Sequence, residues 1–182
     1  MLKASRFALM LLPLLLACRA LTPAGSASTP LAEAGITLTT LKNAQYRSPD
    51  WGDFQLVDGV HHRPPQAPGE SAETYVTELR DPQAYGDLNG DGSADAAVIL
   101  ATQNGGTGHF MELAAMLNRN GAAENAATVS LGDRVGVEAM RIEAGVIVLD
   151  MRVHGPNDPM CCASQFETWR FKLEDEALKR VE

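Results

Sequence analysis

Short runs of residues that favour β-structure recur along this chain, and they limit its fold more than any other feature. VGVEAMRI and VIVLDMRV are separated only by Glu143, Ala144 and Gly145, so they predict a β-hairpin. Strand-length runs with tight turns favour antiparallel pairing over alternating strands and helices. The predicted strands are residues 54–57, 73–79, 94–102, 109–118, 134–142, 146–153 and 166–173.

Residues that tolerate positive φ separate several of these runs. Asp58 and Gly59 lie between two short runs, and Asn120 and Gly121 follow the run 109–118. Asp-Gly and Asn-Gly pairs favour the tight turns that join antiparallel strands. We therefore expect turns at both places.

Two segments favour structures other than strand. Residues 37–43 predict a short helical turn, and the alanine-rich residues 121–129 predict a helix or a loop. Taken with the strands, these segments predict a mainly β fold, described as β-rich α+β. We expect an antiparallel sheet or a sandwich-like arrangement in a single domain over residues 36–182.

The amino end has the composition of a signal peptide. Lys3 and Arg6 precede the apolar run of residues 7–17. This run is shorter than the roughly 20 apolar residues that a membrane-spanning helix needs. The segment therefore predicts export from the cytoplasm.

The end of this apolar run resembles the lipobox of bacterial lipoproteins. It reads Leu-Leu-Ala followed by Cys18, and in lipoproteins such a cysteine carries a diacylglycerol and becomes the new amino terminus. Residues 1–17 are therefore predicted to be a lipoprotein signal peptide, and Cys18 the lipidation site. Two or three acyl chains of the palmitate type anchor a protein durably. The alternative is ordinary cleavage after Ala20 or in the stretch rich in Ala and Ser that follows, which would discard Cys18.

Residues 18–35 are predicted to link the lipidated cysteine to the domain. They are rich in Ala, Ser, Thr, Pro and Gly and show no apolar period, which is typical of a flexible tether. Arg19, and not Asp, follows the cysteine. By resemblance to lipoproteins of bacteria with two membranes, this implies the outer membrane, with the protein facing the periplasm.

The net charge of the chain limits the classes of molecule that it can bind. The net charge is −8, and loss of Lys3 and Arg6 with the signal peptide makes the mature chain more acidic still. Such a surface repels nucleic acid, so we exclude nucleic acid as a partner. The membrane is the predicted partner through the lipid anchor, and an envelope protein or a glycan is left open.

Residues 87–95 (DLNGDGSAD) place oxygen-bearing side chains at alternating positions. Ca²⁺ takes about six to eight oxygen ligands, and a curled loop of this kind can supply several. An EF-hand would have Glu where this chain has Val98, so the loop is not an EF-hand. The predicted calcium ligands are Asp87, Asn89, Asp91, Asp95 and Ser93, the last through its main-chain carbonyl.

The same loop resembles the calcium loop between two strands of integrin-type FG-GAP repeats. A single copy is present, so a propeller built from such repeats is not supported. The alternative is a solvated hairpin turn without an ion. Three carboxylates within nine residues would repel one another unless a cation compensated them, which favours a structural calcium ion.

Cys161 and Cys162 are adjacent, and Cys18 is the only other cysteine of the chain. Adjacent Cα atoms lie about 3.8 Å apart across a trans peptide, whereas disulfides prefer about 4.4–6.8 Å. A vicinal disulfide is therefore feasible but strained. Two unpaired thiols, this disulfide, intermolecular pairing and metal binding all stay open.

Other candidate sites carry weaker signals. Met151, His154 and Met160 bring soft and borderline copper ligands near the cysteine pair. His61 and His62 lie in a proline-rich stretch and form a second, weaker metal candidate. The glycine-rich residues 105–108 lack the Lys-Ser/Thr of a phosphate-binding loop and predict a connection between strands.

Four segments taken in order resemble a family of bacterial exported proteins, many of them lipoproteins, to which no activity is assigned. They are AYGDLNGDGSADAAVIL, GGTGHF, LGDRV and GPNDPMCC, with a looser similarity in LKNAQYR and LVDGVHH. The resemblance covers residues 81–173 and implies that the acidic loop and the cysteine pair are important. Related sequences commonly have Pro after the paired cysteines, where this chain has Ala163.

No sequence pattern of a known catalytic site is present, and no catalytic residue is predicted. We therefore expect a non-enzymatic, lipid-anchored envelope protein with a calcium-stabilised binding or structural domain. Two alternatives belong to other classes. One is an envelope redox protein or enzyme that uses Cys161 and Cys162, and the other is a copper-binding protein.

Overall fold

The computed structural model describes residues 35–64, 69 and 75–182, which form eleven strands and one short helix. The predicted signal peptide, Cys18 and nearly all of the predicted tether lie outside the described residues. Within the described part, no helix is long and apolar enough to cross a bilayer. The elements are α1 (Leu38–Leu41), β1 (Gln45–Ser48), β2 (Gly52–Gln55), β3 (Val60–His62), β4 (Val76–Gly86), β5 (Asp95–Gln103), β6 (Phe110–Arg119), β7 (Ala122–Asp133), β8 (Gly136–Glu143), β9 (Val146–Val153), β10 (Gln165–Glu174) and β11 (Ala177–Val181).

These strands form three antiparallel sheets. Strands β3 to β7 make a five-stranded sheet in chain order, strands β8 to β11 make a four-stranded sheet, and β1 pairs with β2. Every pairing between the named strands is antiparallel. The prediction of a mainly β, antiparallel fold is confirmed.

Strand β5 is buried along nearly its whole length. Eight of its nine residues are buried, and the ninth, Gln103, is exposed. A strand with one wet face alternates apolar and polar residues, whereas a run such as AAVIL requires cover on both faces. The five-stranded sheet is accordingly the middle layer of the domain.

One face of this sheet packs against the four-stranded sheet. Ile99 and Leu113 contribute from β5 and β6, and Ile147, Leu149 and Phe171 contribute from β9 and β10; all five are buried. Burying one such side chain stabilises the fold by about 1.5–3 kcal/mol relative to leaving it exposed. This interface forms the larger core.

The other face is covered by the segment that contains α1, β1 and β2. Leu41, Tyr46 and Leu56 pack there against Val98 and Met116, and all five are buried. The Tyr46 hydroxyl donates a 2.9 Å hydrogen bond to the carbonyl oxygen of Leu41, so its polar group is satisfied inside the core. The helical turn predicted at residues 37–43 is confirmed by α1.

The tight turns lie where the sequence predicts them. Asp58 and Gly59 have φ values of 51° and 90°, and Asn120 and Gly121 have 57° and 90°. The second pair joins β6 to β7. Strands β8 and β9 form the predicted hairpin, since residues 143 and 146 are paired across the turn.

The alanine-rich segment 121–129 was expected to be a helix or a loop, and this prediction is wrong. Residues 122–129 belong to strand β7, which pairs with β6, and Gly121 lies in the turn before it. Ala127 is buried in the larger core, and the Asn125 side chain donates to the carbonyl oxygens of Ala115 and Ala127. Pairing with β6 and burial override the helix propensity of alanine.

Strand β6 carries a buried carboxyl group beneath the turn between β1 and β2. Glu112 is fully buried, and its Oε1 accepts a 2.6 Å hydrogen bond from the Ser48 hydroxyl. Among the described residues no donor reaches its Oε2. Burial raises the pKa of Glu112 from 4.5 to about 7, and the nearby carboxylate of Asp50 acts in the same direction.

This carboxyl group makes stability depend on pH. Because the folded pKa lies above the unfolded value, its contribution is fully present below about pH 4.5 and is lost as pH rises towards 7. We expect the free energy of unfolding to fall by about 1–3 kcal/mol across this window. Glu112→Gln, which carries no titratable proton, should flatten the dependence. Urea unfolding in EDTA at several pH values measures this pH dependence of the free energy of unfolding for both proteins.

Glu143→Gln is the matched control because Glu143 is exposed at the end of β8, where it forms a surface ion pair with Arg141. It should keep the pH dependence of the unsubstituted protein. If the free energy of unfolding of Glu112→Gln depends on pH as steeply as that of the unsubstituted protein, the raised pKa of Glu112 is contradicted.

Candidate functional site

The predicted calcium loop connects two neighbouring strands of the middle sheet. Strand β4 ends at Gly86 and β5 begins at Asp95, so the loop closes one end of this strand pair. Gly90 and Gly92 have φ values of 81° and 87°. Residues with a Cβ atom rarely adopt these angles, which accounts for glycine at both positions.

The carboxylate of Asp87 lies at the centre of the loop. Its Oδ1 accepts a 2.6 Å hydrogen bond from the backbone N–H of Gly90, and its Oδ2 accepts a 3.0 Å bond from that of Gly92. The backbone therefore curls around this half-buried side chain.

Asn89 and Asp91 continue the curl with turns of the same kind. Asn89 Oδ1 accepts from the N–H of Asp91 at 2.9 Å, and Asp91 Oδ1 accepts from the N–H of Ser93 at 2.8 Å. The Ser93 N–H, followed by the Asn89 side chain, lowers the pKa of Asp91. This exposed carboxylate is consequently ionised at neutral pH.

Asp95 occupies a different environment from the other predicted ligands. It is fully buried, its Oδ2 accepts from the N–H of Leu88 at 2.9 Å, and its Oδ1 accepts from the N–H of Asn118 at 2.8 Å. Its side chain joins the start of the loop to the far end of β6. The alternating pattern of oxygen-bearing residues does not predict this role.

The donor chemistry of the loop suits a hard cation such as Ca²⁺. The side chains of Asp87, Asn89 and Asp91 and the main-chain carbonyl of Ser93 can each supply an oxygen ligand, and the Asn89 NH₂ group donates a 2.8 Å hydrogen bond to Asp91 Oδ2. Within residues 35–64, 69 and 75–182, however, no three carboxylate, imidazole or thiol groups are clustered closely enough to hold a metal ion. Asp95 in particular directs both oxygens towards backbone amides.

A surface cleft of about 790 Å³ adjoins the loop. Asp87 and Asn89 line it together with Arg119, Lys172 and Glu176, so charges of both signs face the same space. The turn between β8 and β9 also lines this cleft. Residues 87–90 of the loop thus form part of the wall of this cleft.

The cysteine pair lies in the connection between β9 and β10, separate from the calcium loop. Cys161 and Cys162 are joined by a disulfide, with their Cα atoms 3.8 Å apart, and both residues are exposed. Met151, one of the predicted copper ligands, is buried in the larger core, whereas Met160 is exposed. The structure therefore does not group these two sulfur ligands.

The histidines predicted as a weaker metal candidate lie on β3. The His61 ring stacks on Phe54 with ring centroids 5.1 Å apart, and its Nδ1 is 3.2 Å from the carbonyl oxygen of Gln55. His61 thus makes contacts that hold β3 against β2. These contacts favour a structural role for His61.

Comparison of the chain with protein-family models, with curated proteins and with solved structures found no match.

The contacts of Asp95 predict a structural role that does not need an ion. Asp95→Asn keeps one acceptor oxygen but places an amide NH₂ against a buried N–H. We expect the free energy of unfolding in EDTA to fall by about 1–3 kcal/mol, measured by urea denaturation. Asp53→Asn, at an exposed position on β2, is the control and should change it by less than about 0.5 kcal/mol. Equal stabilities of the two variants would contradict this role.

Proposed function

We propose that this protein is a lipid-anchored component of the bacterial cell envelope whose β-domain is a non-enzymatic binding or structural module stabilised by Ca²⁺. The observation that carries the calcium proposal is the curl of residues 87–93 around the Asp87 carboxylate. The proposal assigns no catalytic residue.

A cation bound in this loop would stabilise the folded domain. Asp87 and Asp91 lie four positions apart in one tight curl, and their negative charges repel each other. A bound cation offsets this repulsion. Since Asp95 joins the same loop to β6, stabilisation of the loop would reach the middle sheet.

The neighbouring cleft supports a binding role for the domain. Arg119 and Lys172 supply positive charge and Glu176 negative charge around a space of about 790 Å³. Polar groups placed around a concave surface are typical of ligand sites. An envelope protein or a glycan is the class of partner that we propose.

Calcium should raise the melting temperature of the domain. A ligand that binds only the native state stabilises it by about 2.7 kcal/mol at one hundred times Kd. For a domain of this size we expect a rise of about 5–10 °C between EDTA and millimolar Ca²⁺. Asp91→Asn, which keeps the acceptor for the Ser93 N–H but removes the charge, should lose most of this rise.

Asp53→Asn is again the matched control, since it removes one surface carboxylate away from the loop. It should keep the full calcium response. Equal melting temperatures in EDTA and in Ca²⁺, or a full response in Asp91→Asn, would contradict calcium binding. A full response to Mg²⁺ would assign the loop to another cation.

The proposed anchor rests on the lipobox that ends at Cys18. Intact mass analysis of the protein from solubilised membranes should show a mature chain that begins at Cys18 and carries two or three acyl chains. Cys18→Ser should leave the precursor unprocessed or release a soluble product. A mature chain that begins near Ala20 without lipid would contradict the proposal. In a bacterium with two membranes we expect the outer-membrane fraction, facing the periplasm.

A further inference from the structure

The connection between β9 and β10 presents the disulfide of Cys161 and Cys162 at the surface. Both residues are exposed, so the disulfide lies at a surface that a thiolate from solution can reach. Attack of a thiolate on a disulfide sulfur is the first step of thiol–disulfide exchange. Accessibility therefore permits a chemical role for this bond.

The connection is held together by contacts other than this disulfide. The carboxylate of Asp158 accepts hydrogen bonds of 2.8 Å from the backbone N–H of Gly155, the backbone N–H of Ser164 and the Ser164 hydroxyl. These bonds join the two ends of the connection. They lower the pKa of Asp158, the Gly155 N–H most of all, so the carboxylate remains ionised at neutral pH.

A disulfide between adjacent residues adds little to the stability of a fold. Disulfides stabilise mainly by restricting the unfolded chain, and this effect grows with the number of residues in the closed loop. Cys161 and Cys162 are one position apart, so the loop they close is the shortest available. Stability does not account for the pair.

The surroundings of the pair favour reactivity. The disulfide lies on the wall of a surface cavity of about 920 Å³ that Arg134 and Arg152 also line. Positive charge favours the thiolate, which is both the attacking and the leaving form of a cysteine. Glu138 lines the same cavity and pairs with Arg152, and Arg134 pairs with Asp133. Loss of the Arg152 charge would therefore leave the Glu138 carboxylate uncompensated in the cavity that holds the disulfide.

We propose that Cys161 and Cys162 form a redox-active pair that a dithiol reduces and that exchange with a disulfide restores. A thiolate of the dithiol attacks one cysteine sulfur, the bond between the two cysteine sulfurs breaks, and a mixed disulfide forms. The second thiol of the dithiol attacks this mixed disulfide and releases the cysteine pair in its reduced form. Two electrons and two protons pass from the dithiol to the pair, and the dithiol becomes a disulfide.

The test uses the full chain with Cys18→Ser. Cys161 and Cys162 are the only cysteines of this variant, whether or not the signal peptide is removed. Millimolar dithiothreitol should reduce the native pair within minutes, as measured by acid quenching, alkylation and peptide mass analysis. The melting temperature should change by less than about 2 °C on reduction. Oxidised glutathione should then restore the intramolecular bond.

Substitution of Arg152, which lines the cavity, tests whether the cysteine pair is reactive or merely structural. Arg152→Gln should slow reduction at neutral pH several-fold, and Arg152→Lys, which keeps the charge, should restore most of the rate. Arg80→Gln is the control because Arg80 lies on β4 and does not line the cavity. It should leave the rate unchanged.

Three results would each overturn the proposal. The first is reduction only after the domain unfolds in urea. The second is a fall of the melting temperature by more than about 5 °C on reduction, which would make the disulfide a structural element. The third is an equal reduction rate in Arg152→Gln and Arg80→Gln.

Discussion

Burial of β5 on both faces is the constraint on which the rest of this structure depends. A sheet that is apolar on both sides needs two covering layers, one built by the four-stranded sheet and the other by α1, β1 and β2. The residues that supply these layers come from opposite ends of the domain sequence. The middle sheet therefore connects the start of the described domain to its end.

Polar groups inside this three-layer arrangement are mostly paired with backbone. Asp95 accepts two amide N–H groups, and Asn125 donates to two carbonyl oxygens and accepts from the N–H of Arg47. Such pairing offsets the cost of removing a polar group from water. Glu112 differs because only one of its oxygens has a donor, the Ser48 hydroxyl, among the described residues. Its neutral form is the one that this environment favours.

The sequence predicted the parts of the fold that local chemistry determines. The Asn-Gly and Asp-Gly turns and the hairpin of β8 and β9 depend on a few neighbouring residues, and their positions were correct. Strand β7 was not predicted because its residues are alanine-rich, and only pairing with β6 makes them extended. Strands β1, β3 and β11 were missed because each has five residues or fewer, and so short a run shows little of the alternation that predicts a strand.

The candidate site, like the fold, was predicted from the sequence only where neighbouring residues determine the structure. Alternating oxygen-bearing residues predicted the loop at residues 87–95, but the pattern could not distinguish Asp91, which faces solvent, from Asp95, which accepts from one backbone amide of the loop and one of β6. That difference depends on where β6 lies. Glu112 was missed for the same reason, since an isolated acidic residue within a strand gives no sign of which face is covered.

Three of the four outer strands of the two larger sheets have features that discourage pairing with another copy of the chain. Strand β3 has three residues, the pairing of β8 shifts register between Val137 and Ala139, and β11 carries Lys179 and Arg180. Short, irregular or charged edges are poor templates for edge-to-edge aggregation. A protein crowded on a membrane surface by a lipid anchor would meet its own copies often. These edges would help neighbouring copies to remain separate under such crowding.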